Sequence, residues 1–369
     1  MTTSIEITGI RVRPLMVPLR RPLRVSFGTF AEAPFLAVEL ETKGGIPGRV
    51  LGFAFHKLGL KLVPPVLDAL AAFAKGRVIE AAQAGEFHDA CQKSLMLIGH
   101  EGVTQLALSM FDIAVHDALA RAAGVPLHRL LGAQPLDLQA YNSCGGSIVP
   151  AEEAAREARE LAVEHGGFGH VKIRVGRAGT GEDRSVLQAI RAAVGPGVAL
   201  SVDFNQALPA ATAHERCRTL DDLGLAWIEE PVAYDDYETQ ARLAAKLQTP
   251  LQVGETWWHW RVGKRAIEMG ACDYVMPDVL RIGGVTGWMR LASAAAMAGI
   301  PFSSHLSPEV SAHLLAATPT RHWLEFMDWG QELITDPVVP RAGRARPSDK
   351  PGAGIDFIET AIEKCIVRP

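Results

Sequence analysis

A recurring pattern in residues 201–325 constrains the fold more than any other feature of the chain. Short apolar runs each end in an acidic residue or a histidine, and they follow one another at intervals of about 20 to 27 residues. The terminal residues are Asp203, Glu229, Glu255, Asp278, His305 and Glu325. One strand, one helix and two loops need about this much chain, so the pattern predicts repeating βα units. A (β/α)8 barrel carries its chemistry on polar residues at the carboxyl ends of its strands.

The surrounding sequence predicts eight barrel strands with helical segments between them. They are placed at 138–143, 170–176, 199–205, 226–231, 251–255, 273–278, 301–305 and 323–326. Several are continuous apolar runs, which is typical of parallel strands that are buried on both faces. We therefore predict an α/β protein in which residues 136–335 form the barrel.

The first 135 residues show a different pattern, which predicts an α+β domain. Alternating strands of an antiparallel meander are expected at 4–18, 34–42 and 49–55. Residues 20–33 lack a clear period and are predicted to be a loop, whose apolar side chains either pack on the meander or cover a substrate. Residues 103–124 carry apolar side chains at helical spacing. The tail at 336–369 is predicted to return to this first domain.

Composition excludes several classes of function. The 369 residues include 37 Lys and Arg against 41 Asp and Glu, a net charge of −4, and no basic stripe marks a nucleic-acid partner. No apolar run reaches signal-peptide or membrane-spanning length, so no membrane partner is expected. The five cysteines are scattered without CxxC pairs, as expected of reduced thiols in a cytoplasmic protein.

Three acids end consecutive predicted strands: Asp203, Glu229 and Glu255. Neighbouring barrel strands lie about 4.8 Å apart, so the three carboxylates converge and would repel one another without a cation. All-oxygen ligation favours Mg²⁺, with Mn²⁺ as the alternative. The spacing alone leaves the choice between Glu229 and Glu230 open. The competing interpretation is three acids that make separate hydrogen bonds at the barrel mouth.

Asp278 and His305 end the next two predicted strands and are therefore neighbours. A carboxylate that accepts from one imidazole nitrogen fixes the tautomer and raises the basicity of the other nitrogen. The pair predicts a general base that faces the barrel axis. The competing interpretation is a histidine that caps the helix beginning near Pro308.

Lys172 and Arg174 lie two apart on the second strand and share a face on the side opposite His305. Two buried cations need partners, which the ring of acids or an anionic substrate would provide. Glu325 and Ser143 end strands eight and one and are candidates to bind substrate oxygen. A metal, a lysine and one base together predict α-proton abstraction from a carboxylate, with the enolate charge stabilised by the metal.

Several motifs, in order, make the chain resemble the enolase superfamily and its mandelate racemase subgroup. They are KIR at 172–174, VDFNQ at 202–206, WIEEP at 227–231, VGE at 253–255, MPD…IGGVTGW at 276–288, SSH at 303–305, SAHLLAATPT at 311–320 and WLE at 323–325. Residues 107–132 resemble the helix and linker of the capping domain in that family. The resemblance implies a modified TIM barrel, (β/α)7β, with an N-terminal α+β capping domain.

The resemblance also implies roles for single residues. Asp203, Glu229 and Glu255 match the Mg²⁺ ligands, which favours Glu229 over Glu230, and Asp278 with His305 matches the general-base dyad. The residues implied to bind the substrate are Lys172, which neutralises its carboxylate, Glu325, which shares a hydrogen bond with it, Asn205 and Ser143, which support it, and the lid residues Leu23, Val25 and Phe55. Homo-oligomers, often octamers, are implied as well.

Arg174 departs from the subgroup, which usually has a second lysine there as the base on the opposite face. A guanidinium is almost never deprotonated. Three possibilities follow: a dehydratase in which His305 acts alone, a slow second base, or an arginine that binds a second anionic group such as that of a diacid. Because the lid is apolar, racemisation of a mandelate-like 2-hydroxy acid is favoured over dehydration of an acid sugar. The remaining alternative is a barrel that binds metal and carboxylate without turnover.

Overall fold

The computed structural model describes residues 3–179 and 181–369, and the chain begins with an antiparallel sheet. Its strands are β1 (Ser4–Val25), β2 (Gly28–Thr42), β3 (Gly48–Phe53) and β4 (Val78–Glu80), in the order β3-β2-β1-β4. Its helices are α1 (Gly59–Ala74), α2 (Ala84–Ser94) and α3 (Val103–Ala122). Helix α3 is buried along nearly its whole length, since it lies between this sheet and the second half of the molecule.

The segment 20–33 is not a loop, contrary to the prediction from sequence. It forms the outer end of the long β1–β2 hairpin, in which Leu23 pairs with Phe30 and Val25 pairs with Gly28. A register shift between Pro18 and Leu23 interrupts the alternation of inward and outward side chains, so the sequence there lacks the period of a strand. Salt bridges from Arg20 and Arg21 to Glu164, at 2.9 and 3.0 Å, hold this hairpin end against the second half of the molecule.

The second half contains a curled parallel sheet surrounded by helices. Its strands are β5 (Leu138–Asn142), β6 (His170–Arg174), β7 (Ala199–Asp203), β8 (Ile228–Glu229), β9 (Leu251–Val253), β10 (Tyr274–Val275) and β11 (Trp323–Phe326). The helices are α4 (Leu127–Leu130), which leads into the sheet, then α5 (Ala151–Val163), α6 (Glu182–Val194), α7 (Ala210–Arg218), α8 (Tyr237–Ala244), α9 (Trp260–Glu268), α10 (Gly284–Ala298) and α11 (Pro308–Ala317). The strand order is β10-β9-β8-β7-β6-β5-β11, so strands β5 to β10 follow one another as neighbours and β11 returns beside β5. The predicted fold class is confirmed.

One predicted barrel strand differs from expectation. Residues 301–305 form isolated bridges rather than a regular strand, with Phe302 paired to Val275 on one side and to Arg321 on the other. Prolines 277 and 301 lack the amide that a continuous ladder needs. The bridge between Asp278 and His305 still closes the barrel and keeps these two residues adjacent.

The tail contacts both halves of the molecule. Strand β12 (Arg344–Ala345) runs antiparallel to β5, and helix α12 (Glu359–Cys365) follows. Beyond it, Ile366 bridges to Leu15, and Glu359 forms an ion pair with Arg13. The division of the chain at residues 135 and 335 stays a prediction. Within the described residues, no helix combines the length and apolarity needed to cross a bilayer.

Asp112 joins the two halves of the molecule and provides a test of stability. Its buried carboxylate on α3 accepts hydrogen bonds from the backbone amide and hydroxyl of Thr286, at 2.9 and 2.7 Å, in the first turn of α10. It also contacts the ring of His88 at 3.1 Å. We expect Asp112→Ala to destabilise the protein by about 3 kcal/mol, because the buried amide and hydroxyl of Thr286 both lose the acceptor that they share. Thermal unfolding followed by circular dichroism measures this loss.

Asp89 offers a matched control at the same junction. It pairs with Arg290 of α10 at 2.9 Å, but its side chain is 54% exposed. Because exposed ion pairs contribute about 0–1 kcal/mol, Asp89→Ala should barely change the melting temperature. Equal losses in the two variants would contradict the role given to Asp112.

Candidate active site

The functional side chains emerge where strands end and the backbone turns sharply. Asn205 and Glu230 have φ of 45° and 35°, directly beyond strands β7 and β8, and Leu306 has φ of 49° just after His305. Gly254, with φ of 136°, precedes Glu255, and a Cβ there would lie 3.1 Å from the Trp257 ring. Such left-handed positions are rare for residues other than glycine and mark places where tertiary contacts dictate the backbone.

Asp203, Glu229 and Glu255 converge as predicted. Each offers a carboxylate oxygen, and these three atoms lie within 4.8 Å of one another. Asp203 is oriented by the amide and side chain of Asn205, at 2.8 and 2.9 Å. Glu229 accepts from the indole of Trp227 at 2.9 Å. Burial raises the pKa of Glu229 well above its ordinary value, and the Asp203 charge raises it further, although Lys172 opposes the shift. Three buried carboxylates so close together need positive charge.

Lys172 provides part of that charge. Its ammonium lies 2.5 Å from Glu229, 2.8 Å from Glu325 and 3.5 Å from Asp203, and its side chain is 1% exposed. Burial alone would lower the pKa of Lys172, but the Glu229 and Glu325 carboxylates raise it well above its ordinary value. The lysine is therefore a fixed cation that points into the barrel rather than a base.

His305 and Asp278 form the predicted dyad. The Nδ1 atom of His305 lies 2.7 Å from the Asp278 carboxylate, which also accepts from the amide of Leu280 at 2.7 Å. The other ring nitrogen, Nε2, lies 3.3 Å from Glu255 and 3.8 Å from Glu325. Burial alone would lower the pKa of His305, but Glu255 and Glu325 raise it to about 9. The dyad thus presents Nε2 toward the carboxylate cluster.

Glu325 stands between the lysine and the histidine. One oxygen contacts Lys172 at 2.8 Å, and the other accepts from the amide of Leu306 at 2.8 Å. Burial alone would raise the pKa of Glu325, but Lys172 and His305 lower it below its ordinary value. The carboxylate is therefore held in place on both sides.

Most of these groups line one cavity of about 220 Å³, whereas Glu229 and Asp278 lie outside its described lining. Its polar lining consists of Lys172, Arg174, Asp203, Asn205, Glu255, Arg281, His305 and Glu325. Its apolar lining consists of Leu23, Val25, Phe27, Phe30, Phe53, Phe55, Leu306, Met327 and Trp329. The end of the β1–β2 hairpin and the segment after β3 supply most of the apolar side, so the first half of the chain covers the polar floor of the barrel. Leu23, Val25 and Phe55, which the sequence predicted as lid residues, all line this cavity.

Arg174 borders the cavity but is held by the loop after β5. Its guanidinium donates to the Ser143 carbonyl at 2.9 Å, to the Ser143 hydroxyl at 2.8 Å and to the Gly145 carbonyl. Ser143 lies behind this arginine and is absent from the described cavity lining. Arg174 therefore fixes the loop after β5. Ser143, which the sequence predicted to bind substrate oxygen, contacts Arg174 instead of the cavity.

The sequence did not predict five of the cavity residues: Phe53, Arg281, Leu306, Met327 and Trp329. Arg281 lies three residues after Asp278 in a motif that was recognised, but spacing does not show that its side chain turns back toward the lid. Met327 and Trp329 follow the last strand, where nothing in the sequence distinguishes a lining residue from a core residue.

Comparison with known proteins agrees with this geometry. Residues 7–132 match the family described as Mandelate racemase / muconate lactonizing enzyme, N-terminal domain, and residues 153–361 match Enolase C-terminal domain-like. A curated relative, L-talarate/galactarate dehydratase of Salmonella typhimurium, is 36% identical over 72% of this chain and 66% of its own length.

Two solved structures resemble the whole chain. An enolase from the alpha proteobacterium bal199 with bound magnesium is 40% identical, covers 98% of this chain and 100% of its own, and superposes with a TM-score of 0.95. An enolase from Bradyrhizobium complexed with magnesium and mandelic acid is 35% identical over 100% of both chains, with a TM-score of 0.93. The chain therefore belongs to the mandelate racemase/muconate lactonizing enzyme subgroup of the enolase superfamily.

Proposed function

We propose that this protein is a Mg²⁺-dependent dehydratase that removes the α-proton and then the 3-hydroxyl of a 2,3-dihydroxy carboxylate. The observation that carries the proposal is an asymmetric cavity. Among the described lining residues, His305 is the one imidazole, and Asp278 orients its ring from behind the lining. The opposite side presents two cations, Lys172 and Arg174, which the surrounding carboxylates and carbonyls hold in place.

The three carboxylates fit Mg²⁺. Asp203, Glu229 and Glu255 would hold the ion, since they offer three oxygen ligands within 4.8 Å of one another in a buried site. Two relatives of similar fold were solved with magnesium. When bound, the ion supplies positive charge that stabilises an enolate.

The protein's own residues would divide the remaining work. Lys172 neutralises the substrate carboxylate. Glu325 in its protonated form would donate a hydrogen bond to that carboxylate, since the nearby negative charge of the substrate favours protonation. The neutral form of His305 takes the α-proton at Nε2, while Asp278 keeps the ring oriented. Glu255 would favour this form when it holds the ion, because its negative charge then no longer raises the pKa of the ring. The imidazolium then returns that proton to the departing 3-hydroxyl, so water leaves and an enol remains. The enol tautomerises to a 2-keto-3-deoxy carboxylate, and the reaction needs no oxidant or further reactant.

Racemisation of a mandelate-like 2-hydroxy acid is the second candidate. The apolar lid favours it, because Leu23, Val25 and Phe55 would accept an aryl group, and one relative was solved with mandelic acid. Racemisation needs a base on each face of the α-carbon, and Arg174 cannot supply one. We therefore rank dehydration ahead of racemisation, the reverse of the order favoured from the sequence.

Exchange in D₂O tests the proposal. The protein is incubated with Mg²⁺ and a panel of 2-hydroxy and 2,3-dihydroxy carboxylates, each supplied in both configurations at carbon 2. The products are followed by NMR. We expect the α-proton to be lost from only one configuration at carbon 2. The product of the 2,3-dihydroxy acid should be a 2-keto acid with deuterium at carbon 3. Formation of the opposite enantiomer without keto acid would support the racemase instead. No exchange with any acid would favour a binding protein without turnover.

Arg174→Lys tests the missing second base. A lysine keeps the positive charge but can lose a proton. We therefore expect the variant to exchange slowly the α-proton of the configuration that the wild-type protein does not exchange. The same NMR measurement detects this gain. If the wild-type protein exchanges the α-proton of both configurations, the single-base proposal is contradicted.

A further inference from the structure

Arg281 makes a contact between the two halves of the molecule that the proposed chemistry does not use. Its guanidinium carbon lies 3.8 Å from the centroid of the Phe55 ring, the shortest cation–aromatic distance among the described residues. The same guanidinium donates to the backbone carbonyl of Glu255 at 3.0 Å and to the Thr256 hydroxyl at 3.2 Å. One side chain therefore touches both the lid and the loop that carries a cation ligand.

Phe55 is held in an unusual backbone conformation. Its φ is 59°, a value that bulky side chains rarely adopt. Its ring packs on Phe53 at 4.7 Å, and Phe53 in turn contacts Trp329 at 5.4 Å. Such a conformation persists when surrounding contacts hold it, and Arg281 supplies the contact from the barrel.

The arginine also joins a hydrogen-bond network around the ligand loops. Thr256 donates to Glu230 at 3.0 Å and accepts from Gln206 at 2.9 Å. Gln206 follows the ligand Asp203 by three residues, and Thr256 directly follows the ligand Glu255. Through Thr256, Arg281 therefore belongs to a network that joins the loop after Asp203 to the loop of Glu255.

We propose that Arg281 is a positioning residue that couples docking of the Phe55 segment to the geometry of the cation site. A lid that is docked on Arg281 then favours cation binding, and a bound cation favours the docked lid to the same extent. The proposal rests on the Mg²⁺ site proposed above, but it is independent of which reaction follows.

Mg²⁺ affinity of the metal-free full chain, measured by titration calorimetry, tests this coupling. We expect Arg281→Met to weaken binding by at least about tenfold, as is typical when a group that orients metal ligands is lost. We expect Phe55→Leu to weaken it by about fivefold, although Phe55 touches no ligand, because the stacking contact is lost. Phe55→Tyr keeps an aromatic ring and should stay within about twofold of the wild type.

A second cation–aromatic pair serves as the control. Arg77 stacks on Phe73 at 4.1 Å, and neither residue lines the cavity. Arg77→Met removes the same kind of contact and should leave Mg²⁺ affinity within about twofold of the wild type. Melting temperatures of all variants show whether each one folds.

The double variant completes the test. Because Phe55 acts through Arg281, Phe55→Leu combined with Arg281→Met should bind Mg²⁺ as tightly as Arg281→Met alone, within about twofold. Unchanged affinity in Phe55→Leu, or losses that multiply in the double variant, would overturn the coupling while leaving the Mg²⁺ site in place. If Arg281→Met does not fold, Arg281→Lys takes its place in the same comparisons. A wild-type chain that does not bind Mg²⁺ would overturn both the site and the coupling.

Discussion

His305→Asn should reduce the rate of α-proton exchange by about 10³-fold or more. General bases contribute about 10² to 10⁴ in rate, and an asparagine amide cannot accept the proton. The cavity offers no ready replacement among its described lining residues. Lys172 is held protonated by Glu229 and Glu325, and Arg174 is a guanidinium. Deuterium uptake at the α-carbon in D₂O, with Mg²⁺ present, measures the loss.

Asp278→Asn provides the graded comparison. The imidazole remains, but its Nδ1 atom loses the carboxylate acceptor at 2.7 Å that selects the tautomer. We expect a loss of about 10² to 10⁴, by analogy with triads in which the orienting carboxylate is replaced. Circular dichroism establishes that both variants fold. Exchange in His305→Asn within tenfold of the wild-type rate would transfer the base role to another residue.

Removing the metal should abolish the same exchange, and Mg²⁺ should restore it. Without a cation, Asp203, Glu229 and Glu255 confront a substrate carboxylate with three further charges in a buried site. Stabilisation by a bound cation is worth several kcal/mol, so treatment with a chelator should lower the rate by at least about 10³-fold. Full activity in protein shown by elemental analysis to be metal-free would disprove the site.

Glu229 and Glu230 give a matched pair for that experiment. Glu229 faces the other carboxylates, whereas Glu230 turns away and accepts from the amide and hydroxyl of Thr256, at 3.2 and 3.0 Å. We expect Glu229→Gln to weaken Mg²⁺ binding by about 10²-fold or more and to remove activity. Glu230→Gln can keep one of its hydrogen-bond acceptors and should lose tenfold or less. Equal losses in the two variants would contradict the ligand assignment.

The sequence predicted the polar floor of the cavity well. Asp203, Glu229 and Glu255 could be found because buried parallel strands bring their carboxyl ends together at a fixed spacing. His305 and Asp278 could be paired for the same reason, even though residues 301–305 form bridges and not a regular strand. In each case the position along the chain translates directly into a position in the barrel.

The lid was harder to predict, because its structure depends on partners that are distant in sequence. Residues 20–33 lack strand periodicity, yet they form a hairpin whose base is pinned by salt bridges to Glu164, more than 100 residues away. Arg174 could be identified as an anomaly, but its partners in the loop after β5 could not be identified from the sequence.

By itself, the sequence determined the repeating βα architecture, the metal-binding trio and the pairing of His305 with Asp278, since these follow from local periodicity and the regular geometry of a barrel. Tertiary structure alone decided that the end of the β1–β2 hairpin lines the cavity and that Arg174 holds the loop after β5. It also decided that Arg281 contacts both Phe55 and the loop of Glu255. The physical reason is that long arginine and aromatic side chains reach partners set by how the two halves pack. No spacing along the chain encodes that packing.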